Sequence, residues 1–455
     1  MDTDERFVQG QLRPGRVVSL KNGVLPTGVI DEKPVYMMGG VPGDEGLFRI
    51  THVGKHKLWA RLQTLTTPSP HRVEAPCPVM DRCGGCPWQA VSRQMQQEAK
   101  LESLTSALGH LLEGATMKPW LSTGRDIHYR TRALMMTRHV GGRLRFGFYA
   151  PRTNEIVGAE HCHAQDTRLN EVLEEARRHL ERQGIGTWRG KDRPGLLKAI
   201  LYRLDMRHHE GLLTLVVSRQ DNRLLSLSQQ LMELEGINGV FCNIQGDDGG
   251  PVLGKETHLL AGQSRQKIQF NTLQLEVGPI SFLQTHHALA ERMIDVVRSA
   301  IPDDANALLD LYSGIGVFGL SMADRMRRVT LIESNPKACD DAEHNIKRLK
   351  LNHIQILRSK TEEGLTQLRT EENTFDAVIL DPPRSGCAPS VLDQLCTITG
   401  VKTIVYVSCN PKSLARDLDH ILTHGPFTLH EVTPVDMFVH TPHIETIAVL
   451  KRSRV

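Results

Sequence analysis

The C-terminal part of the chain, from about residue 276, alternates short apolar runs with amphipathic stretches of about 10–15 residues. The apolar runs are rich in β-branched and aliphatic residues, as expected for buried strands, and cover 307–312, 328–333, 353–357, 377–380 and 403–407. Strands that alternate with helices in this way predict a doubly wound parallel sheet. We therefore expect an α/β fold whose chemistry lies at the carboxyl ends of these strands.

The N-terminal residues have a different pattern, with short strands and glycine-rich turns between residue 12 and about residue 70. This pattern predicts a small β-barrel of the OB type, followed by a linker at Thr67–Pro70. We expect three domains: the barrel over 1–71, a central α/β domain over 72–275 and the doubly wound domain over 276–455. A helix over about 92–112 in the central domain is expected to pack on the last domain.

Composition narrows the class of protein. The 455 residues are 24% charged and 40% hydrophobic, which is ordinary for a soluble protein. No apolar run approaches the roughly 18 residues that a membrane-spanning helix needs, and Met1–Glu5 does not resemble a signal peptide. Nine cysteines, an odd number, suit metal binding or catalysis better than a disulfide framework. We expect a cytoplasmic protein without membrane association.

Positive charge is concentrated between Lys118 and Thr153. One acid, Asp126, and eight basic residues give this segment a net charge of +7; the basic residues are Lys118, Arg125, Arg130, Arg132, Arg138, Arg143, Arg145 and Arg152. Aromatic residues are interleaved with them, a pattern suited to phosphate contacts and base stacking. The same pattern is expected of a solvated sheet edge, and from this segment alone both interpretations stay open.

Four strand ends carry candidate chemistry. Asp381 follows one predicted strand in Asp381-Pro382-Pro383-Arg384, and Cys409 follows the next in Ser408-Cys409-Asn410-Pro411. A glycine turn at 313–319 follows an earlier strand, and Glu333 closes the strand after it. Glycines admit a ligand close to the backbone and an acid at the second strand end can bind ribose hydroxyls, so the set predicts a nucleotide-type cofactor.

Together these motifs resemble class I S-adenosylmethionine-dependent methyltransferases. Within that class, Arg384 after Asp-Pro-Pro and the Ser-Cys-Asn-Pro sequence around Cys409 resemble the RNA uracil-C5 methyltransferases. The resemblance implies that the Cys409 thiolate adds to carbon 6 of uracil, because carbon 5 is too weak a nucleophile unaided. It also implies that Glu445 removes the carbon-5 proton and that Asp381 is a positioning acid near base and cofactor.

The resemblance further implies a set of cofactor-binding residues. S-adenosylmethionine would be held by residues of the glycine turn, of strand ends and of the Phe-x-Gln segment at 282–284: Gln284, Tyr312, Gly314, Gly316, Glu333 and Asp381. His286 stands where relatives often carry asparagine.

Four cysteines form a separate candidate site: Cys77, Cys83, Cys86 and the distant Cys162. On ligand grounds four thiolates suit zinc or an iron–sulfur cluster about equally. The spacing resembles the four-cysteine [4Fe–4S] site in the ribosomal-RNA branch of the same family, which implies a cluster; zinc and unliganded thiols are the alternatives. The remaining cysteines, Cys242, Cys339, Cys387 and Cys396, are expected to be structural.

The N-terminal barrel matches the TRAM domain, an RNA-binding module of some family members. Barrel and cysteines together imply a 23S ribosomal RNA substrate, as RNA or as a ribosome assembly intermediate, and we expect a monomer. Two alternatives stay open: uracil-C5 methylation of tRNA, and an RNA-binding iron–sulfur protein without methyl transfer. DNA cytosine methylation is disfavoured, because the Pro-Cys-Gln motif of those enzymes is absent.

Overall fold

A computed structural model describes residues 7–20, 25–151, 153–190, 195–246 and 250–453. Met1–Glu5 and Arg152, both considered above, lie outside these ranges. Contacts divide the chain into two compact units. The smaller unit contains the described residues up to Ser106, with Phe148–Ala159 and Phe438–His443, and the larger unit contains the rest. The division into three domains stays a prediction.

The smaller unit is built on a closed five-stranded barrel with the order β1-β2-β3-β5-β4. Its strands are β1 (Leu12–Ser19), β2 (Thr27–Ile30), β3 (Lys33–Met38), β4 (Glu45–Val53) and β5 (Leu58–Thr67). Alternate residues of each strand point inwards and form one apolar core, which includes Val17, Met37, Phe48 and Ala60. The predicted OB-like barrel is therefore confirmed.

Helix α1 (Arg93–Leu108) follows the barrel, and a 3₁₀ turn at Gly109–Leu112 continues it, so the predicted helix is confirmed. Within the smaller unit α1 binds the segment Phe438–His443. The buried Lys100 ammonium donates to the Phe438 carbonyl (2.9 Å), and the His440 amide donates to Gln96 Oε1 (3.2 Å). These hydrogen bonds tie a segment that immediately precedes Glu445 to a helix far away in sequence.

The larger unit begins with the short strand β6 (Thr116–Met117). It then forms a mixed sheet, and the strands of this sheet within the larger unit have the order β13-β12-β11-β10-β7-β8. The strands are β7 (Arg132–Val140), β8 (Arg143–Tyr149), β10 (Leu197–Leu204), β11 (Gly211–Val217), β12 (Ile237–Ile244) and β13 (Glu256–Gly262), while β9 (Ile156–Gly158) belongs to the smaller unit. Two amphipathic helices accompany the sheet, α2 (Thr167–Arg182) and α3 (Arg223–Leu231). A hairpin follows, β14 (Gln266–Phe270) and β15 (Leu273–Val277).

The C-terminal sheet has eight strands in the order β18-β17-β16-β19-β20-β22-β21-β6. Its strands are β16 (Ala307–Leu311), β17 (Arg328–Glu333), β18 (Ile354–Arg358), β19 (Ala377–Leu380), β20 (Thr403–Ser408), β21 (Phe427–Val435) and β22 (Glu445–Arg452). The helices are α4 (His287–Ala300), α5 (Val317–Ser321), α6 (Pro336–Arg348), α7 (Thr361–Thr370), α8 (Pro389–Thr397) and α9 (Pro411–His424).

The first five strands of this order are parallel, and β22 runs antiparallel between β20 and β21. The α/β prediction and its five strands are confirmed. The strand order reverses between β16 and β19, and such a switch point leaves a crevice beyond the carboxyl ends of the two strands. No helix within the described ranges is both long and apolar enough to cross a membrane.

Candidate active site

The predicted catalytic residues meet at one edge of the C-terminal sheet. Asp381 follows β19 and Cys409 follows β20, its parallel neighbour. Glu445 is the first residue of β22, whose Thr446 pairs with Ser408. Because β22 is antiparallel to β20, its amino end lies at the same edge as the carboxyl end of β20. The topology therefore brings thiol and carboxylates together from three strands.

The Cys409 thiol is half-buried and lies in a field of mixed charge. Burial raises the pKa of Cys409, and the carboxylates of Glu445 and Asp381 raise this pKa further. The Arg384 side chain opposes them, since its hydrogen bond and positive charge favour the thiolate. The free protein therefore holds a protonated thiol at neutral pH, with a cation in position to stabilise the anion.

The two carboxyl groups near the thiol are unusually basic. Glu445 is only 2% exposed, and burial together with the charge of Asp381 raises its pKa well above the ordinary value. Burial likewise raises the pKa of Asp381, to about 7. A carboxylate whose pKa lies nearer to neutrality is the better proton acceptor once it is ionised. Both carboxyl groups therefore bind a proton more readily than ordinary surface acids do.

Arg384 was quoted from sequence only as part of a motif, and in the structure its side chain hydrogen-bonds Cys409. Its own backbone is held by α9, the helix that starts after Cys409. Asn410 Nδ2 and Ser413 Oγ both donate to the Arg384 carbonyl, at 2.9 and 3.1 Å. Asn410 also caps α9, because its side chain accepts from the Lys412 amide (3.2 Å). The start of α9 thus fixes the arginine loop against the thiol.

A buried aspartate anchors the end of the same loop. Asp417 Oδ2 accepts from the Cys387 amide (2.7 Å) and from the Tyr406 hydroxyl (2.6 Å). Gly386 has φ +81°, and a Cβ there would lie 2.5 Å from Asp417 Oδ2, so the turn needs glycine. Sequence reasoning missed Asp417, since nothing local relates it to a loop about 30 residues earlier.

The glycine turn after β16 is organised around Glu333, whose predicted contact with a cofactor stays a prediction. The Gly314 amide donates to Glu333 Oε2 (2.8 Å), and the Asn335 amide donates to Oε1 (2.6 Å). Gly314 has φ +58°, and a Cβ placed on it would meet nothing within 4 Å, so open space borders the turn. Gly316 starts α5. The turn therefore leaves room for a ligand beside a fixed carboxylate.

Asp310 is a third acid at this edge, and it is absent from the predicted site residues. It lies in β16, its Oδ2 accepts from the Gly319 amide (2.8 Å), and its buried Oδ1 has no hydrogen-bond partner among the described residues. Burial raises the pKa of Asp310 to about 8, and the charges of Asp381 and Glu333 add to the shift. Three acids around an open turn favour a cationic ligand, and S-adenosylmethionine carries both a sulfonium and an ammonium group.

Tyr312 follows β16 and directly precedes the glycine turn. Its φ of +57° is unusual for a residue with a side chain and costs about 1–3 kcal/mol, a strain that functional sites often retain. Its hydroxyl hydrogen-bonds Cys387 and Thr361, and burial raises its pKa. The Tyr312 backbone therefore turns the chain out of β16 towards Gly314.

Gln284 lies elsewhere in the larger unit, in a cavity that Arg132, Arg203 and the aromatic ring of Phe270 also line. Arg203 is 2% exposed, and burial together with the charge of Arg132, its cross-strand neighbour, lowers its pKa to about 9. Among the described residues, Gln284 makes no hydrogen bond to the other predicted cofactor residues. The structure therefore brings Asp381, Tyr312, Gly314 and Glu333 together without showing such a link for Gln284.

His286, the departure noted in the sequence, is a buried neutral residue. It is 1% exposed, stacks on Tyr129 with ring centroids 4.8 Å apart, and lies 3.3 Å from Thr123 Oγ1 through Nε2. Burial lowers its pKa to about 4. These contacts give His286 a packing role at the start of α4.

The four predicted cluster cysteines are divided between the two units. Cys77, Cys83 and Cys86 belong to the smaller unit and are half-buried in a turn in which the Cys83 amide donates to the Val79 carbonyl (2.8 Å). Cys162 belongs to the larger unit. Among residues that the structure describes, no three His, Cys, Asp or Glu side chains are arranged to hold a metal ion. The cysteine cluster stays a prediction.

Part of the basic segment is neutralised within the larger unit. Lys118 pairs with Glu431 (3.3 Å), Arg125 with Asp166 (3.0 Å) and Arg145 with Glu160 (2.9 Å). Ion pairing to carboxylates reduces the attraction of these cations for phosphate groups. The segment as an RNA contact therefore stays a prediction that rests on its other basic residues.

The chain is similar to known RNA methyltransferases. Residues 263–453 match the family model described as tRNA (Uracil-5-)-methyltransferase. An uncharacterized RNA methyltransferase of Gloeobacter violaceus is 32% identical over 98% of the chain and 98% of its own length. A second RNA methyltransferase, from Synechocystis, is 29% identical over 99% of the chain and 97% of its own length.

A solved structure has the same fold. The Pyrococcus abyssi tRNA (uracil-54, C5)-methyltransferase in complex with S-adenosyl-L-homocysteine superposes with a TM-score of 0.76 at 23% identity. It covers 96% of the chain and 99% of its own length. At this identity the likeness shows the fold, an α/β architecture with an N-terminal barrel, which the two proteins share over nearly the whole chain.

Proposed function

Because the chain belongs to the RNA uracil-5 methyltransferase family and uses S-adenosylmethionine, we propose that it forms 5-methyluridine in 23S ribosomal RNA through a covalent bond to Cys409. The observation that carries this proposal is the convergence of Cys409, Arg384, Asp381 and Glu445 at the carboxyl edge of one sheet. Covalent catalysis at a pyrimidine needs a nucleophile, a cation to stabilise it and a base, and these residues supply all three.

Cys409 acts first. Its thiol loses a proton to solvent while Arg384 stabilises the sulfur anion, so that Glu445 and Asp381 stay ionised, and Sγ then bonds to carbon 6 of the uracil. The ring electrons move onto carbon 5 and the carbonyl oxygen, which makes carbon 5 nucleophilic. The methyl group that carbon 5 takes up would come from bound S-adenosylmethionine, whose sulfur would keep the electron pair of the broken methyl–sulfur bond. The residues that would hold this cofactor are Asp310, Tyr312, Gly314, Glu333 and Asp381, with Gly316 at the start of α5 and Gln284 as a further contact.

Glu445 acts last. Its carboxylate removes the proton from carbon 5, the double bond between carbons 5 and 6 re-forms, and the bond between carbon 6 and Sγ breaks. Cys409 leaves as the thiolate that Arg384 stabilises. Asp381 raises the pKa of Glu445 through its charge and so makes it a better base.

The acids around the glycine turn predict that cofactor affinity depends on pH. The pKa of Asp310 is raised to about 8 and that of Asp381 to about 7, so both gain protons as pH falls from 9 to 6. A protonated carboxyl attracts a cation less, so S-adenosylmethionine should bind several-fold more weakly at pH 6 than at pH 9. Calorimetric titration measures this, with Asp310→Asn as the variant that flattens the dependence. An equally steep dependence in Asp310→Asn would contradict the assignment.

The proposal also names the class of RNA that is methylated. The N-terminal barrel and the four cysteines support ribosomal RNA, by resemblance to that branch of the family. The fold of a tRNA enzyme, however, matches 96% of the chain, so this architecture also suits tRNA. We propose that the protein works as a cytoplasmic monomer and that its barrel, a TRAM domain, binds RNA together with the basic segment of the central domain.

Mapping of 5-methyluridine tests which RNA is the substrate. Ribosomal and transfer RNA from cells with and without the protein should differ at a uridine of 23S RNA, and the purified protein should restore the methyl group there. Loss confined to tRNA would assign the tRNA alternative. If neither RNA loses 5-methyluridine and the protein still binds RNA, the result would favour the RNA-binding iron–sulfur protein without methyl transfer.

We also propose a [4Fe–4S] cluster on Cys77, Cys83, Cys86 and Cys162. The number and spacing of the thiols support the cluster. We assign the cluster a structural role, because no step of the proposed methyl transfer needs it. Protein purified without oxygen should contain about four iron and four sulfide per chain. Cys83→Ser should lose both, whereas Cys396→Ser, on α8, should keep them. Stoichiometric zinc without iron would refute the cluster.

A further inference from the structure

The outer wall of the barrel carries an aromatic row across three adjacent strands. Tyr36 of β3, Trp59 of β5 and His52 of β4 are direct neighbours in the strand registers. The rings of Tyr36 and Trp59 stack with their centroids 5.7 Å apart and their planes inclined by 20°. The centroid of the His52 ring lies 4.9 Å from that of Trp59. Along β3 and β5 the inward positions are occupied by the buried core, so this row faces outwards.

Basic side chains surround this row. Lys57 lies over the Tyr36 ring at 5.7 Å, and Lys55 is exposed in the same turn between β4 and β5. Arg49 and Arg61 are direct cross-strand neighbours on the same wall. Like charges placed opposite each other are unfavourable unless an anion lies between them.

Carboxylates do not neutralise these cations. Arg61 donates to the Asp81 backbone carbonyl (2.6 Å), and Arg49 donates to the Gln63 amide oxygen (3.1 Å) and the Gly10 carbonyl (3.0 Å). Across the described residues, neither arginine and neither lysine forms an ion pair with a carboxylate. The wall thus presents four positive charges beside the half-buried rings of Tyr36 and Trp59 and the exposed ring of His52.

We propose that this wall, made of Tyr36, His52, Trp59, Lys55, Lys57, Arg49 and Arg61, binds a single-stranded segment of the RNA substrate. The cations would contact successive phosphates, and bases would stack on the ring row. A duplex hides its base faces and could use only the charges. The inference rests on the proposed function, because it gives the RNA of that reaction a second contact distant in sequence from Cys409.

The test measures RNA affinity in a Cys409→Ala background, so that catalysis does not affect it. The probe is a fluorescent single-stranded oligoadenosine, which has no uracil for the catalytic pocket. Trp59→Leu should weaken binding by about 5- to 100-fold, because stacking on one base contributes about 1–3 kcal/mol. Lys57→Ala should reduce the slope of log affinity against log salt by about 0.7, the value of one single-strand phosphate contact.

Arg16→Ala is the matched control, because it removes one exposed positive charge from β1, outside the defined wall. It should bind the probe as the parent does, and a duplex of equal length should be insensitive to Trp59→Leu. If Arg16→Ala weakens binding as much as Lys57→Ala, or Trp59→Leu changes nothing, the wall is not the binding surface. Adduct formation between Cys409 and a 5-fluorouridine RNA, measured separately, reports on the proposed function alone.

Discussion

Replacing Cys409 with alanine should lower methyl transfer by at least about 10⁴-fold, the scale on which loss of a catalytic nucleophile acts. The reason is chemical: without a bond at carbon 6, carbon 5 of uracil does not attack a methyl group. RNA affinity should stay within about threefold, since the thiol is small and half-buried. Single-turnover transfer of a labelled methyl group and titration with the same RNA measure both quantities.

Cys396→Ala is the control for this variant, because that thiol is buried on α8 and belongs to no part of the site. It should transfer methyl groups at the parent rate. RNA carrying 5-fluorouridine should become covalently linked to the parent protein at Cys409 and should not be linked to Cys409→Ala. Substantial turnover by Cys409→Ala would exclude the nucleophile, and joint loss of folding and RNA binding would assign Cys409 a structural role instead.

The sequence was sufficient to predict that Asp381 and Cys409 follow two strands of one parallel sheet. Apolar runs followed by Asp381 and Cys409 predict two buried strands, and parallel strands end at one edge of a sheet. Glu445 was predicted only through family resemblance. Its location has a simple physical origin, because it begins an antiparallel strand whose first residue meets the end of β20.

Sequence could not predict the residues that act through distant contacts. Asp310 looks like any acid in a strand, and its raised pKa comes from burial that only the packed sheet creates. In the sequence Asp417 is indistinguishable from an ordinary helical aspartate, yet it holds the loop after Arg384. Such contacts depend on how helices pack against loops, and neither hydrophobic periodicity nor a short motif encodes that packing.

Charge patterning was informative only in part for the same reason. The segment from Lys118 to Thr153 has a strong net charge, but Lys118, Arg125 and Arg145 pair with acids far away in sequence. The barrel wall has a weaker local signal, since Lys55 and Lys57 are merely two cations in a turn. Strand pairing places them beside Tyr36 and Trp59, and this combination appears only in three dimensions.

Glu445→Gln should stop the reaction after methyl transfer and trap a covalent protein–RNA adduct. Glutamine has nearly the same shape as glutamate but cannot accept the carbon-5 proton, so the bond between carbon 6 and Cys409 persists. Steady-state turnover should fall roughly 10²- to 10⁴-fold, the usual contribution of a general base. A denaturing gel should show labelled methyl groups that migrate with the protein. Glu431→Gln, in β21, is the control and should turn over normally.

The charge of Glu445 allows the nucleophile role of Cys409 and the base role of Glu445 to be tested separately in the protein without RNA. That charge raises the pKa of Cys409, so its removal in Glu445→Gln lowers the pKa and increases the thiolate fraction at a given pH. Alkylation of Cys409 by iodoacetamide should then be no slower than in the parent, whereas Arg384→Ala should slow it, because the pKa rises when the arginine is lost. A Glu445→Gln protein that alkylates normally and still releases methylated RNA at the parent rate would place the base elsewhere. If adduct accumulates while the thiol stays reactive, the defect lies at proton removal, the step assigned to Glu445.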